Sequence, residues 1–472
     1  MINKNQYLLL GLLLATIIIK SISSIFYIED IDSLRFALSV YDEFDLSNLQ
    51  PHFPGYPVFC FFAKFMYLII GNLGLSFSIV GSISLFLIIY FSLLITNFKI
   101  TSKERLFTIF IILFNPMIFL LSSRYMPDLM GLSIYLASFY FLTSKSRNKI
   151  LFGAFLSAVL FGVRLSYFPL IIIPLIACVY KISKNDIYVL CAYFLAGIGV
   201  WLFPMVYMTG LGDLIDIALK QSVGHFSDYG GTFITEDNWI LRFKSFIHTF
   251  WADGLGGYWI DRSSITLISS SMMFLMLPSV CKWIMNELKN NNKIKILLGS
   301  ALLYFSWIMM FQNVVYKSRH LLPIVFVFLI LLSLSQPIIF KRNLFLNNIA
   351  KLLLVFSLGL VSFNLSWQHK NYTSIHNIKE YLISDKYEYS IASTPLINFY
   401  LKSTGVNRKY YNVDDMKSNI ELNSDINYKK ILMIGDFRYR LDNESQFQID
   451  SVFYHNPYMN RMWSTINVYS ND

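Results

Sequence analysis

Apolar runs recur along the first three quarters of the chain, at roughly 6–26, 56–71, 75–96, 106–122, 128–143, 150–163, 165–181, 186–208, 263–285, 294–311, 320–339 and 344–366. A helix needs about 20 residues to cross the hydrocarbon core, with a range of roughly 17 to 25. The pattern therefore predicts a polytopic helical membrane protein. From about residue 368 the pattern becomes ordinary and polar. There EYSIAST, KYYNV and KKILMIGDF read as short strands, and TSIHNIKEYLIS and TPLINFYLKS as helices. The expected fold is mainly α, with a membrane part at residues 1–367 and a small α/β domain at 368–472.

Two runs need separate treatment. Residues 6–26 come too late and run too long for a cleaved signal peptide, and no small-residue cleavage site follows; they read as the first span. Lys20 within it has no good account beyond snorkelling to the surface. Residues 56–71 are short and carry Lys64 at their middle, where burial in lipid would cost about 2.5–3.5 kcal/mol. They read as a juxtamembrane helix on the outer surface, which leaves about eleven spans.

Charge then fixes an expected orientation. With eleven crossings, one side receives Lys99, Lys103 and Arg105; Lys145, Arg147 and Lys149; Lys181 and Lys184; Lys289, Lys293 and Lys295; and Lys341 and Arg342. By the positive-inside rule that side is the cytoplasm. The first outer loop, 27–55, has one basic residue, Arg35, among Glu29, Asp30, Asp32, Asp42, Glu43 and Asp45. If 56–71 also crossed, the bias would reverse. The same parity puts the N-terminus in the cytoplasm, and the long loop at 209–262 and the C-terminal domain outside, so the protein is expected in a cell (inner or plasma) membrane.

Composition agrees with this class. Of 472 residues, 55% are hydrophobic and 14% charged, against about 25% charged in a soluble domain. Net charge is +10, but the basic residues sit in short clusters between apolar runs, so nucleic acid is not the expected partner; membrane lipid is. Cys60, Cys178, Cys191 and Cys281 lie in or beside apolar runs without metal-like spacing and read as small buried hydrophobes. The sequence shows no internal repeat, phosphate-binding glycine loop or dinucleotide motif.

The candidate chemistry gathers at outer turns. Only 31 residues separate Lys149 from Lys181, too few for two full crossings of about 20 each. The hairpin should turn below the outer surface, and Arg164 stands at that turn. Half-buried, it needs an anion or water, and it serves either a ligand or lipid headgroups. SSRYMPDL adds Arg124 and Asp128, and VVYKSRHLLP adds Lys317, Arg319 and His320. Basic residues on the face that should lack them suggest a phosphorylated ligand, with phospholipid contact as the alternative for each alone. Asp32 either caps the short helix expected over SLRFALSV or presents a carboxylate that accepts a proton from a nucleophile. In PHFPGYP, residues 51–57, the prolines and Gly55 force a sharp turn. Tyr56 is an interfacial anchor there, and His52 is either structural or a contact to phosphate or sugar.

Asp32-Ser33-Leu34-Arg35-Phe36-Ala37 followed by Pro51-His52-Phe53-Pro54-Gly55-Tyr56-Pro57 resembles the GT-C superfamily of polytopic glycosyltransferases. Its members include the protein O-mannosyltransferases (glycosyltransferase family 39) and the lipid A aminoarabinose transferases. Arg124 to Asp128 is similar to their second-loop arginine and proline-aspartate, and Arg319-His320-Leu321-Leu322-Pro323 to a late arginine-leucine-proline element. Ser33 stands where many members carry an acidic residue. The resemblance implies a sugar transferred from a polyprenyl-phosphate donor, with inversion, to a glycan, lipid or protein hydroxyl outside the cytoplasm. Asp32 would be the general base, and Arg124, Arg164, Lys317 and Arg319 would bind the donor phosphate. Asp128, His52, Tyr56, Trp239 and Trp251, with Trp259, would line the substrate site. Aromatic belts at the membrane interface are the alternative reason for the tryptophans. No cofactor is indicated; a divalent metal stays open. The rival classes are a lipid-linked oligosaccharide polymerase or ligase and a transporter or flippase.

Overall fold

The computed structural model of the chain describes residues 4–98, 102–227, 231–260, 262–313, 317–335, 343–384, 389–441, 446–456 and 464–471. Lys99, Lys341 and Arg342 of the expected cytoplasmic clusters lie outside these residues. Contacts divide the chain into two compact units, Met1–Ser24 with Leu38–Asn364, and Ile25–Ala37 with Leu365–Asp472.

The first unit is helical. It contains α1 (Lys4–Ile22), the last turn of α2 (Ile31–Tyr41), α3 (Pro57–Ile70), α4 (Leu73–Thr96), α5 (Lys103–Leu113), α6 (Pro116–Leu121), α7 (Asp128–Leu142), α8 (Arg147–Arg164), α9 (Phe168–Val179) and α10 (Lys184–Thr209). It continues through α11 (Leu211–Ser227), α12 (Trp239–His248), a π turn at Thr249–Gly254, α13 (Ile265–Asn290), α14 (Asn292–Phe311), a 3-10 turn at Ser318–Leu321, α15 (Leu322–Ser335) and the start of α16 (Leu344–Asn371). The region 209–262, expected as a loop, thus carries two helices and the π turn. Its apolar residues are spaced among polar ones, which hides helical runs from a search for uniform hydrophobicity.

Among the described residues seven helical stretches are long and apolar enough to cross a membrane, and Tyr7–Ile22, Pro57–Ile70 and Asp128–Leu142 are shorter apolar helices. The chain is an integral membrane protein, as its apolar runs predict. Length alone does not recover eleven crossings. The expected span at 106–122 is two helices, because Pro116 cannot continue α5 and Asn115 caps α6 by accepting from the Ile118 amide at 3.1 Å. Phe61, Phe65, Leu68 and Ile69 of α3 are exposed, while Lys64 turns to the Asp42 carbonyl at 2.8 Å.

Lys20 does not snorkel. Its side chain is fully buried and donates to the Phe119 carbonyl at 2.6 Å, over the Phe119 ring. The Phe119 carbonyl lies in the last turn of α6, where a helix leaves its carbonyls without intrahelical partners. Cys60 and Cys178 are buried as expected, but Cys191 and Cys281 are exposed, on α10 and α13.

The second unit joins residues 25–37 to α17 (Ser374–Ser384), β1 (Ser390–Ser393), α18 (Pro395–Ser403), β2 (Tyr410–Asn412), α19 (Met416–Asp425), β3 (Ile431–Ile434), β4 (Gln448–Tyr454) and β5 (Thr465–Ser470). The three expected strands and two expected helices form; α19, β4 and β5 are additional. The sheet order is β2-β1-β3-β5-β4. β1 runs parallel to β2 and β3, with Ile391 opposite Tyr410 and Leu432, and β5 is antiparallel to β3 and β4. All four residues of β3 are buried, as expected for a strand covered on both faces.

Two predictions follow from packing and charge. A Cβ built on Gly81 of α4 would stand 1.9 Å from the Ser122 carbonyl oxygen, whereas one on Gly11 of α1 meets nothing within 4 Å. Gly81→Ala should therefore cost about 1–3 kcal/mol, and Gly11→Ala should gain up to about 1 kcal/mol of helix propensity, both read by thermal unfolding in detergent. In the second unit Arg438 lowers the Asp436 carboxyl to about 2, and bonds from Lys429, Tyr411 and Lys409 hold Asp425 well below the usual carboxylate range. Depressed carboxyl values stabilise the fold above the unfolded value of about 3.9, and that contribution is lost as pH falls toward about 2. Hydrogen exchange in 389–441, corrected for intrinsic rate, should rise across that interval, and a variant with Asp425→Asn and Asp436→Asn should flatten the rise.

Candidate active site

The centre of the first unit's polar groups is Arg164. Its extended backbone, φ −154° and ψ 89°, ends α8, and a 3-10 turn at Leu165–Tyr167 leads into α9. With 12 residues, α9 is about 18 Å long, short of the ~30 Å core, in keeping with a hairpin that turns early. Arg164 is buried, and its Nη2 lies 3.0 Å from Asp128 Oδ1 and 3.3 Å from His320 Nδ1. Tyr167 packs its ring 5.6 Å from the guanidinium. Gly131, one turn after Asp128, permits this approach: a Cβ there would stand 3.0 Å from Arg164 Cβ and 3.1 Å from Tyr167 Cε2.

The turn bearing Arg319 and His320 is held from behind. Tyr304 donates to the His320 carbonyl at 3.0 Å and meets Tyr167 edge-on at 5.6 Å. Arg319 and Tyr56 lie within electrostatic reach of Arg164. Three segments expected as separate outer turns, those of Asp128, Arg164 and Arg319, thus converge on one point. Asp128, expected at the substrate, is wholly buried and serves as the counterion of Arg164. Arg319 is buried as well; Lys317, just before its turn, and Arg124, ahead of α7, are half-buried.

The Ser318–Leu321 turn packs against the π turn. Asn115 donates to the Gly254 carbonyl at 2.7 Å, fixing the π turn to the start of α6. Trp251 lies in the π turn, donates to the Tyr258 carbonyl at 3.1 Å and packs on Phe274. Trp259 packs on His248, and Trp239 is half-exposed at the start of α12. Sequence reading passed over Arg242, which is fully buried and donates to the carbonyls of Met309, Gly231 and Gln312. It closes the carbonyl end of α14. Its spacing from Trp239 on a short amphipathic helix was the one visible sign.

The proline cluster forms the predicted turn. Gly55 has φ 85° and donates to the His52 carbonyl at 2.9 Å, and a Cβ there would press on Leu46, Met205 and Phe44. Tyr56 also has a left-handed backbone, φ 47°. Its hydroxyl lies 3.3 Å from His52 Nε2, so the two residues orient each other. Pro57 then opens α3.

Asp32 belongs to the second unit. The helix begins at Ile31, earlier than expected, and Asp30 caps it by accepting from the Ser33 amide at 2.8 Å and the Ser33 hydroxyl at 2.9 Å. The capping alternative therefore falls to Asp30. Asp32 lies in the first turn, largely buried, 3.8 Å from Arg35. Among the described residues no three His, Cys, Asp or Glu side chains cluster as metal ligands.

The fold is that of two solved structures of ArnT. The crystal structure of ArnT from Cupriavidus metallidurans bound to undecaprenyl phosphate is similar over 99% of this chain and 98% of that one, with 11% identity and a TM-score of 0.56. The apo form of the same protein matches over 100% and 99%, with 10% identity and a TM-score of 0.58. No family model and no curated protein matches the chain.

The Asp128–Arg164 pair yields a stability prediction. Removing one partner of a buried ion pair leaves an uncompensated charge and costs about 3–5 kcal/mol, whereas replacing both by apolar groups is often neutral. Asp128→Leu should lower the unfolding temperature sharply, and Asp128→Leu with Arg164→Leu should recover most of the loss in the same thermal assay.

Proposed function

We propose that the protein is a membrane glycosyltransferase that moves a hexosyl or pentosyl group from a polyprenyl-phosphate donor to an acceptor hydroxyl on the extracytoplasmic face. The observation that carries this reading is the chain-length likeness to ArnT, whose crystal structure holds undecaprenyl phosphate. The convergence of Arg164 and Arg319 supports it, because buried guanidinium groups suit a phosphate held out of bulk water. The acceptor is a glycan, lipid or protein.

Asp128 already offsets the charge of Arg164. In this mechanism Arg164 orients the neighbouring turn, and Arg319, Lys317 and Arg124 supply the net positive charge that the donor phosphate meets. The acceptor oxygen attacks the anomeric carbon while Asp32 takes its proton. The bond from that carbon to the phosphate oxygen breaks, and polyprenyl phosphate leaves with the electron pair, stabilised by the cations. His52, Tyr56, Trp239 and Trp251 are assigned to the sugar and acceptor. The N-terminus is cytoplasmic and the C-terminal domain extracytoplasmic in this scheme.

Purified protein given a polyprenyl-phosphate-linked sugar should release polyprenyl phosphate. Asp32→Asn should slow release by about 10²- to 10⁴-fold with donor binding nearly unchanged, and Arg319→Ala should weaken donor binding. Turnover at the parent rate in the Asp32 variant removes Asp32 from the chemistry.

A further inference from the structure

The segment that carries Asp32 is grouped with residues 365–472 and not with the helices that precede and follow it in the chain. What fastens it is specific. Glu29 pairs with Nε2 of His369, in the last turn of α16, and the two side chains are 4% and 1% exposed as residues. Tyr27 stands edge-on to the His369 ring at 5.4 Å and to Tyr400 of α18 at 6.2 Å. Lys370 lies 5.9 Å from the Phe26 ring. Ile25 and Ile28 are buried beside them. Immediately after this anchor Asp30 caps α2, and Asp32 follows in its first turn.

Such an anchor is more than the unit's packing requires. A carboxylate and an imidazole withdrawn from water carry a desolvation cost that an apolar pair would avoid, and they recover it only in a fixed geometry. What they add is direction: the backbone at Glu29 is held at one place along α16, three residues before Asp32. A reacting group misplaced by about 1 Å loses on the order of 10²-fold in rate.

We infer that His369 and Glu29 are positioning residues for Asp32, so that the C-terminal unit sets the placement of the proposed base. This inference rests on the functional reading above. The Glu29–His369 pair works through the start of α2; neither side chain is assigned contact with substrate.

The test uses the full chain in detergent with a polyprenyl-phosphate-linked sugar. His369→Leu should lower kcat by roughly 10- to 100-fold with the donor KM within about twofold. It should also raise amide hydrogen exchange over 31–37 by roughly tenfold or more, while exchange over 389–441 stays the same. His369→Gln, whose amide still donates to Glu29, should restore most of both losses. Glu29→Gln, which keeps the shape and removes the charge, should shift rate and exchange in the direction of the leucine variant and serves where that variant does not fold. Unchanged exchange over 31–37 in these variants, or an equal rise over 389–441, overturns the inference. If the parent protein releases no polyprenyl phosphate, the functional reading fails, and the exchange comparison still decides whether the anchor fixes this segment.

Discussion

A guanidinium sealed among helices must be answered by an anion, and Asp128 answers Arg164. That requirement organises the first unit. It places the start of α7 against the end of α8, where glycine at 131 leaves the helices room to meet, and draws the His320 turn alongside. Tyr167 and Tyr304 then fill the space behind. An ion pair in such surroundings is expensive to break and geometrically exacting. It therefore serves as the fixed point from which the nearby cations take their positions.

A division of labour among the basic residues results. In sequence they form one class, charges on a face that should have few. In the fold Arg164 is paired with a carboxylate, and Arg242 is spent on backbone carbonyls at the end of a helix. Arg319 sits between the Arg164 centre and the π turn. Their common charge conceals different duties, and only the neighbours tell them apart.

The chain itself made much of this legible. Uniform apolar runs and the change of pattern near residue 368 predicted a helical membrane part followed by strands and helices, and the ArnT-like fold agrees. The Arg164 turn was visible because two crossings cannot fit between Lys149 and Lys181. The turn at 51–57 was visible because proline and glycine act locally. Long-range pairings were not legible. Nothing near Glu29 points to His369, 340 positions away, and nothing near Lys20 points to Phe119. Asn115–Pro116 is a local breaker that a search for long apolar runs steps over. Asp30 and Asp32 offered the same carboxylate to the same helix, and the backbone start decided between them.

Lys20 has a consequence for how the chain is made. Its acceptor, the Phe119 carbonyl, is 99 residues downstream, so during synthesis the ammonium leaves the ribosome long before its partner exists. An ammonium without a partner is costly to bring into hydrocarbon, and from the last turn of α1 it can reach water instead. Burial of Lys20 therefore waits for α6, so the docking of α1 is coupled to a helix whose acceptor lies 99 positions further along the chain.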